Sequence, residues 1–366
     1  MYFVVIGNPE NRRVTAFADA VRHLGAGEPV IVSYEGLLTG STPLALKADS
    51  IVRIESPGEN DLVRKLLVKQ GGAEPDTDEP FGHIGNMRAW YRGYCQCLEQ
   101  IEQVIDRAGA SVMNTPADIQ LLFDKPACQQ LLELRGVPVP ARLSQIKGYK
   151  DLLLHMEQQQ LQRVFLKPAH GSSASGVVAF RKLGTRVQAI TSVELVRNGA
   201  EVSLYNSRRV RTYTQEEDIA ALVDRLVGEQ VFAEAWLPKA TLQQRYFDVR
   251  VLVINGRARH MVVRSSATII TNLHLGNRRA DPRECIDLIG QEAWHAIQRT
   301  AEQAAACFPN SLYLGVDVLL TADHRRCFVL EVNAFGDLLP NLLHEGDTCY
   351  EAEIRSVLHR INRELC

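Results

Sequence analysis

Apolar residues open the chain as short runs alternating with helix-spaced faces. Residues 2–6 are apolar and stop at Gly7. Val14, Phe17, Ala18, Val21 and Leu24 then recur every three or four residues, the stripe of a half-buried helix. Apolar runs return at 30–33 and 51–54, followed by a helical segment at 61–70. Strands alternating with helices in this way predict a parallel sheet. Residues 71–80 (GGAEPDTDEP) are a polar loop by composition. Met87, Trp90, Tyr91, Tyr94, Leu98, Ile101 and Ile105 share one helical face, so their rings belong to a core.

The pattern changes at Asn114-Thr115-Pro116. Pro116 disfavours helix before it and starts one well. Residues 117–134 keep helical spacing until Gly136-Val137-Pro138, which gives boundaries near 115 and 140. Apolar runs at 164–166 and 177–180 flank a Gly/Ser-rich tip and read as a hairpin. Short strands are expected over 185–215, a helix over 216–227 and a strand over 232–236. Two strands, 248–254 and 257–265, surround the turn Asn255-Gly256. A long amphipathic helix is expected over 285–307. Strands at 313–320 and 327–332 then precede a terminal helix from about 348.

Composition narrows the class of protein. The 366 residues carry 41 Lys plus Arg and 43 Asp plus Glu, a net charge of -2. That balance excludes binding nucleic acid by bulk electrostatics, though it allows a local anion site. No apolar run approaches the ~18–20 residues of a membrane span. The start reads as a first strand and not as a signal peptide. The eight Cys are scattered without CxxC spacing, which points to reduced thiols in a cytoplasmic protein and away from zinc.

Two segments carry candidate chemistry. Gly171 and Gly176 have GxxxxG spacing, but Val177 and Val178 follow where a P-loop needs Lys and Ser/Thr. The first strand offers only Gly7, so a dinucleotide fingerprint is absent as well. A loop of small residues can still approach phosphate closely through its backbone, and Lys167 stands just before it. Taken alone, the segment is a surface hairpin with a snorkelling lysine. The second segment is acidic. Asp317 interrupts an apolar strand, and Glu331 and Asn333, two apart, point to one face of the next. Buried acids need a partner. These three could form a hard oxygen site for magnesium, or the acids could pair with a nearby Arg.

In this order the motifs resemble the ATP-grasp superfamily, over residues 112–345. Asn114-Thr115-Pro116 with Asp124-Lys125-Pro126 looks like its entry helix, and Phe165-Leu166-Lys167-Pro168 with 171–176 like its second lysine and phosphate loop. Glu234-Ala235-Trp236-Leu237 looks like its adenine hinge. Asp248-Val249-Arg250, Arg264 and Thr271-Asn272-Leu273-His274 look like the core of its glutathione-synthetase and ribosomal-protein-glutamylase (RimK-like) types. The resemblance implies a mixed α/β and α+β fold. A three-layer pre-ATP-grasp domain (1–115) would precede a two-lobed ATP-grasp domain (116–366). In the latter, a small central lobe spans about 141–236, and a C-terminal lobe spans about 237–366 together with entry helix 116–140.

By the same resemblance Lys125, Lys167 and the loop Gly171, Ser172, Ser173, Ser175 and Gly176 would contact ATP phosphates. Glu234, Ala235, Trp236 and Leu237 would read the adenine, and Asp248 the ribose, although residues 239–246 look like an insertion that blurs this alignment. Arg250, Arg264 and Asn272 would serve catalysis. Asp317, Glu331 and Asn333 would hold Mg2+ (or Mn2+). The implied activity joins a carboxylate to an amine through an acyl phosphate and releases ADP, with a small metabolite, an amino acid or a peptide as substrate. A nucleotide-binding regulator without turnover and a kinase are the alternatives. A homodimer is allowed. In the first domain Asn8 and Glu10 are candidate acceptor-side residues, with helix capping the competing role for Asn8; His83, Arg88 and Arg92 could lean over the site. His170 and His274 are left out of it.

Overall fold

The computed structural model describes every residue except 76–81, 144, 172–174, 200, 272–276, 337, 338, 340, 341, 365 and 366. The described residues form three sheets. The first is parallel, in the order Val30–Val32, Tyr2–Ile6, Ser50–Ile54, Ser111–Val112. Its central strand alternates: Val4 and Ile6 face helices Asp61–Gln70 and Met87–Ala108, while Phe3 and Val5 face helix Arg12–His23. That second face is completed from the far end of the chain, where Tyr350 and Ile354 of helix Cys349–Glu364 enter the same core. The three layers are thus built from both ends of the sequence.

The second sheet is antiparallel, in the order Glu201–Tyr213, Arg186–Asn198, Val178–Leu183, Arg163–Pro168, Val231–Ala235. Helices Tyr149–Gln158 and Glu216–Val227 cover one face through Leu152, Ile219 and Val223. The short strands expected over 185–215 are instead two long ones, 13 residues each, paired with a single irregularity. The third sheet runs Arg278–Ala280, Arg257–Ser266, Arg245–Ile254, Tyr313–Leu320, Cys327–Asn333. The expected turn at Asn255-Gly256 joins its central strands, with both residues at positive φ.

Two expected helices are broken. The stretch 117–134 forms helices Pro116–Phe123 and Lys125–Leu134. Pro126 cannot donate to Leu122 and would clash with its carbonyl in one continuous helix. Asp124 caps the second helix instead, accepting from the Ala127 amide at 3.0 Å. The stretch 285–307 likewise splits into Pro282–Ile289 and Gln291–Ala305 at Gly290, whose φ of 82° a helix interior does not accept.

Asn114 fastens the first sheet to the third. Its side-chain amide donates to the carbonyls of Tyr313 and Ala334, each at 2.8 Å, and accepts from the Leu312 amide at 3.0 Å.

Candidate functional site

A cavity of about 370 Å³ lies between the second and third sheets and reaches the first. Strand order explains how its walls come together. Arg163–Pro168 pairs with Val231–Ala235, so Lys167 and Glu234 reach one face, joined at 2.5 Å. Asp317 lies opposite both Arg250 and Glu331 in the ladder, and Asn333 lies opposite Gly315. Lys125 enters from the first turn of its helix and reaches Glu331 at 2.7 Å.

Most residues singled out in the sequence meet here. Lys125, Lys167, Gly171 and Ser175 line the cavity on the helix and hairpin side. Glu234, Ala235 and Leu237 form the linking wall; Trp236 turns away and packs on Phe165. Asp248, Arg250, Arg264, Asp317, Glu331 and Asn333 supply the strand side. Gly176 supports the hairpin from behind. Its φ is 73°, and a Cβ there would stand 2.6 Å from the Pro168 ring. Ser172, Ser173, Asn272, Leu273 and His274 lie outside the described residues.

The charges form pairs. Arg250 donates to both oxygens of Asp317, and Arg264 meets the same carboxylate at 3.0 Å. Arg264 also donates to Asp248 at 2.7 Å. The ion-pair alternative for Asp317 is therefore the arrangement that the structure holds. Burial raises the Glu234 carboxyl above its ordinary value, with Lys167 pulling the other way. Burial also works on Glu331, but Lys125, Lys167 and Arg250 outweigh it and hold that carboxyl below the ordinary range.

Lys239 has no counterpart among the residues singled out in the sequence. Lys239 is buried, and its ammonium donates to Asp248 at 3.0 Å and to the Thr271 hydroxyl at 2.7 Å. Burial pushes its pKa down, against the pull of Asp248. Asp248 in turn accepts from Lys239, Arg264 and Thr271. A ribose hydroxyl reaching this carboxylate would have to displace one of them. The supposed insertion at 239–246 is a tight hairpin: Thr241–Leu242 pairs with the start of Arg245–Ile254 across Gln243 and Gln244. No spacing rule marks Lys239, since its role comes from folding that hairpin over Asp248.

Asn8 and Glu10 do not reach the cavity. Asn8 is buried and braces the neighbouring turn, donating to Pro57 O and Gly58 O at 3.1 and 3.2 Å. The helix cap falls to Asn11, whose side chain accepts from the Arg13 amide. Glu10 accepts from Asn60 on the surface. The first sheet lines the cavity instead through Asn11, Arg13, Ser56, Gly58 and Glu59. His83 packs edge-on against Tyr205 of the second sheet.

Two antiparallel sheets closing on one cleft, with Lys125 and Lys167 on its helix and hairpin side and Asp317 and Glu331 on its strand side, define a nucleotide-grasping fold. The chain belongs to the YheC/D-like ATP-grasp family, whose sequence model matches residues 138–337. The superfamily is the one that the motifs resemble, and the matched branch is the YheC/D-like one. Among solved structures, the chain is similar to the D-cycloserine synthetase DcsG at 12% identity (TM-score 0.59), covering 98% of this chain and 99% of that one. It is also similar to the ATP-grasp ligase PsnB complexed with minimal precursor, Mg and ADP (16%, TM-score 0.54, covering 99% and 98%). A third is D-alanine–D-alanine ligase from Bacillus anthracis complexed with ATP (11%, TM-score 0.54, all of both chains). No curated protein sequence matches the chain. Among the described residues, no helix is long and apolar enough to cross a membrane.

Proposed function

We propose that the chain is an Mg-dependent, ADP-forming ligase that joins a carboxylate to an amine. The observation that carries this reading is the convergence of Lys125, Lys167, Arg250 and Arg264 with Asp317 and Glu331 on one cavity. The donor set fits a hard cation bound with phosphate. It is all oxygen: two carboxylates facing each other across a ladder, plus Asn333, whose amide nitrogen already donates to Gly315 O at 3.1 Å. Lys125 and both arginines neutralise these acids in the structure. A cation taking that place would release them toward phosphate oxygens. Bound Mg·ATP would supply the γ-phosphoryl group that activates the substrate carboxylate.

The remaining steps belong to the chain. Lys125 and Lys167 present compact charges to phosphate oxygens, and Gly171 and Ser175 line the cavity beside them. Glu234 and the Ala235–Leu237 backbone form the wall that would read the adenine edge. Arg250 and Arg264, fixed by Asp317 and Asp248, would hold charge that develops on the activated carboxylate. Phosphoryl transfer asks little covalent help of a protein. Cys128, on the same helix as Lys125, fits that, because burial pushes its thiol up to about 12.

The test is ADP release with Mg2+ and pools of amino acids, peptides and small acids, with products read by mass spectrometry. A condensed product, lost in Glu331→Ala, is expected. ADP with a phosphorylated product would indicate a kinase. Nucleotide binding without turnover on any pool would indicate a regulator. Either result would overturn the ligase reading.

A further inference from the structure

Lys125 and Lys167 come from different parts of the chain, and their separation decides whether one triphosphate can meet both. Three contacts fix it. The Lys125 amide donates to Ala169 O at 3.1 Å. The His170 Nδ1 bonds Phe123 O at 3.2 Å. A carbonyl only accepts, so Nδ1 carries the hydrogen. The His170 ring also lies flat on Tyr91, with centroids 3.8 Å apart and planes 7° from parallel. Tyr91 belongs to helix Met87–Ala108 and donates its hydroxyl to Gln120 O at 3.1 Å. The root of the glycine-rich hairpin is thereby bolted to the joint between helices Pro116–Phe123 and Lys125–Leu134. Behind that joint stands a helix of the first sheet's layer. Both rings avoid the cavity lining.

We propose that Tyr91 and His170 are positioning residues that set the spacing of Lys125 and Lys167 for a triphosphate. The inference rests on the nucleotide-site reading above. It differs from a packing role in one measurable respect. Packing supports all ligands alike, whereas this clamp acts on the phosphate end and leaves the 234–237 wall in place. The stack carries the effect, because the Tyr91 hydroxyl bonds Gln120 O and the Cys95 thiol and not the lysine segments.

The experiment is calorimetric titration of the full chain with Mg·AMP-PNP and, separately, with adenosine. In Tyr91→Ala the Kd for Mg·AMP-PNP is expected to rise about tenfold, the scale of a sub-ångström misplacement, while the Kd for adenosine changes by less than about twofold. Tyr91→Phe, which keeps the ring, should restore Mg·AMP-PNP binding to within about twofold of the original chain. His170→Asn should reproduce the Tyr91→Ala pattern and serves if Tyr91→Ala does not fold. Equal weakening of both ligands, or a lowered Tm with both affinities unchanged, would overturn the proposal. Failure of the unaltered chain to bind Mg·AMP-PNP would overturn the nucleotide reading and this inference together.

Discussion

Asp248 accepts from an ammonium, a guanidinium and a hydroxyl while almost wholly buried. Burial alone would raise its pKa, but Arg264 and Lys239 outweigh it and hold the carboxyl at about 2, below its ordinary 3.8. A depressed folded-state value means that ionised Asp248 stabilises the fold above about pH 4. That contribution, about 2 kcal/mol, is lost as pH falls toward 2. Urea midpoints from pH 6 to 2.5 should therefore fall more steeply for the unaltered chain than for Asp248→Asn. Lys239→Met removes one partner of a buried pair and should cost about 3 kcal/mol in urea unfolding. If Lys239 were a surface residue by function, the change would stay within about 0.5 kcal/mol. Lys239 also shows where residue-level reading stops. Lys167 was visible because a glycine-rich tip followed it, and Asp317 because it interrupted an apolar run. Lys239 sits between Pro238 and Ala240 with no pattern around it.

At the scale of elements, periodicity located the strands and helices well and failed on their continuity. Apolar spacing runs unbroken through Asp124 and Gly290, because both halves of each broken helix bury the same side. The breaks come from a missing amide at Pro126 and from backbone sterics at Gly290, which side-chain spacing does not register. The reverse happens at Gly93, deep inside helix Met87–Ala108. A Cβ there would come 1.9 Å from Leu67 O, and one on Gly71 would come 1.8 Å from Ala89 O. Helices Asp61–Gln70 and Met87–Ala108 therefore cross backbone against backbone. Gly93→Ala should destabilise the chain by about 3 kcal/mol or more through overpacking, where an ordinary helical Gly→Ala would stabilise it. Thermal unfolding monitored by circular dichroism decides the sign. Of the helix aromatics expected in the core, Trp90 and Tyr94 pack there, whereas Tyr91 lies on His170, and no periodicity links residues 79 apart.

At the scale of the whole molecule, a buried ion cluster joins the two ends of the chain. Arg53 is fully buried between Glu55, at 2.6 Å, and Glu353 of the last helix. Its guanidinium lies over the rings of Phe17 and Tyr313, at 4.3 and 4.4 Å. Arg53→Met would leave two carboxylates buried without their cation and should cost about 3–5 kcal/mol. Probes in the first sheet and in the last helix should lose structure at one urea midpoint, since they share this core. A division near residue 115 follows the order of motifs along the sequence, but packing crosses it through Asn114, through Tyr91 and through helix Cys349–Glu364.

That last helix has a consequence for how the protein is made. Strand Tyr2–Ile6 leaves the ribosome well ahead of helix Cys349–Glu364, which covers one of its faces. Until residue 350 emerges, Phe3, Val5 and Phe17 have no Tyr350 to pack on, and Arg53 has no Glu353. Those residues wait, incompletely covered, while the roughly 300 residues between Arg53 and Glu353 are made. For a nascent chain growing at about 5–20 residues per second, that is an interval of tens of seconds during which this face of the first sheet lacks its cover.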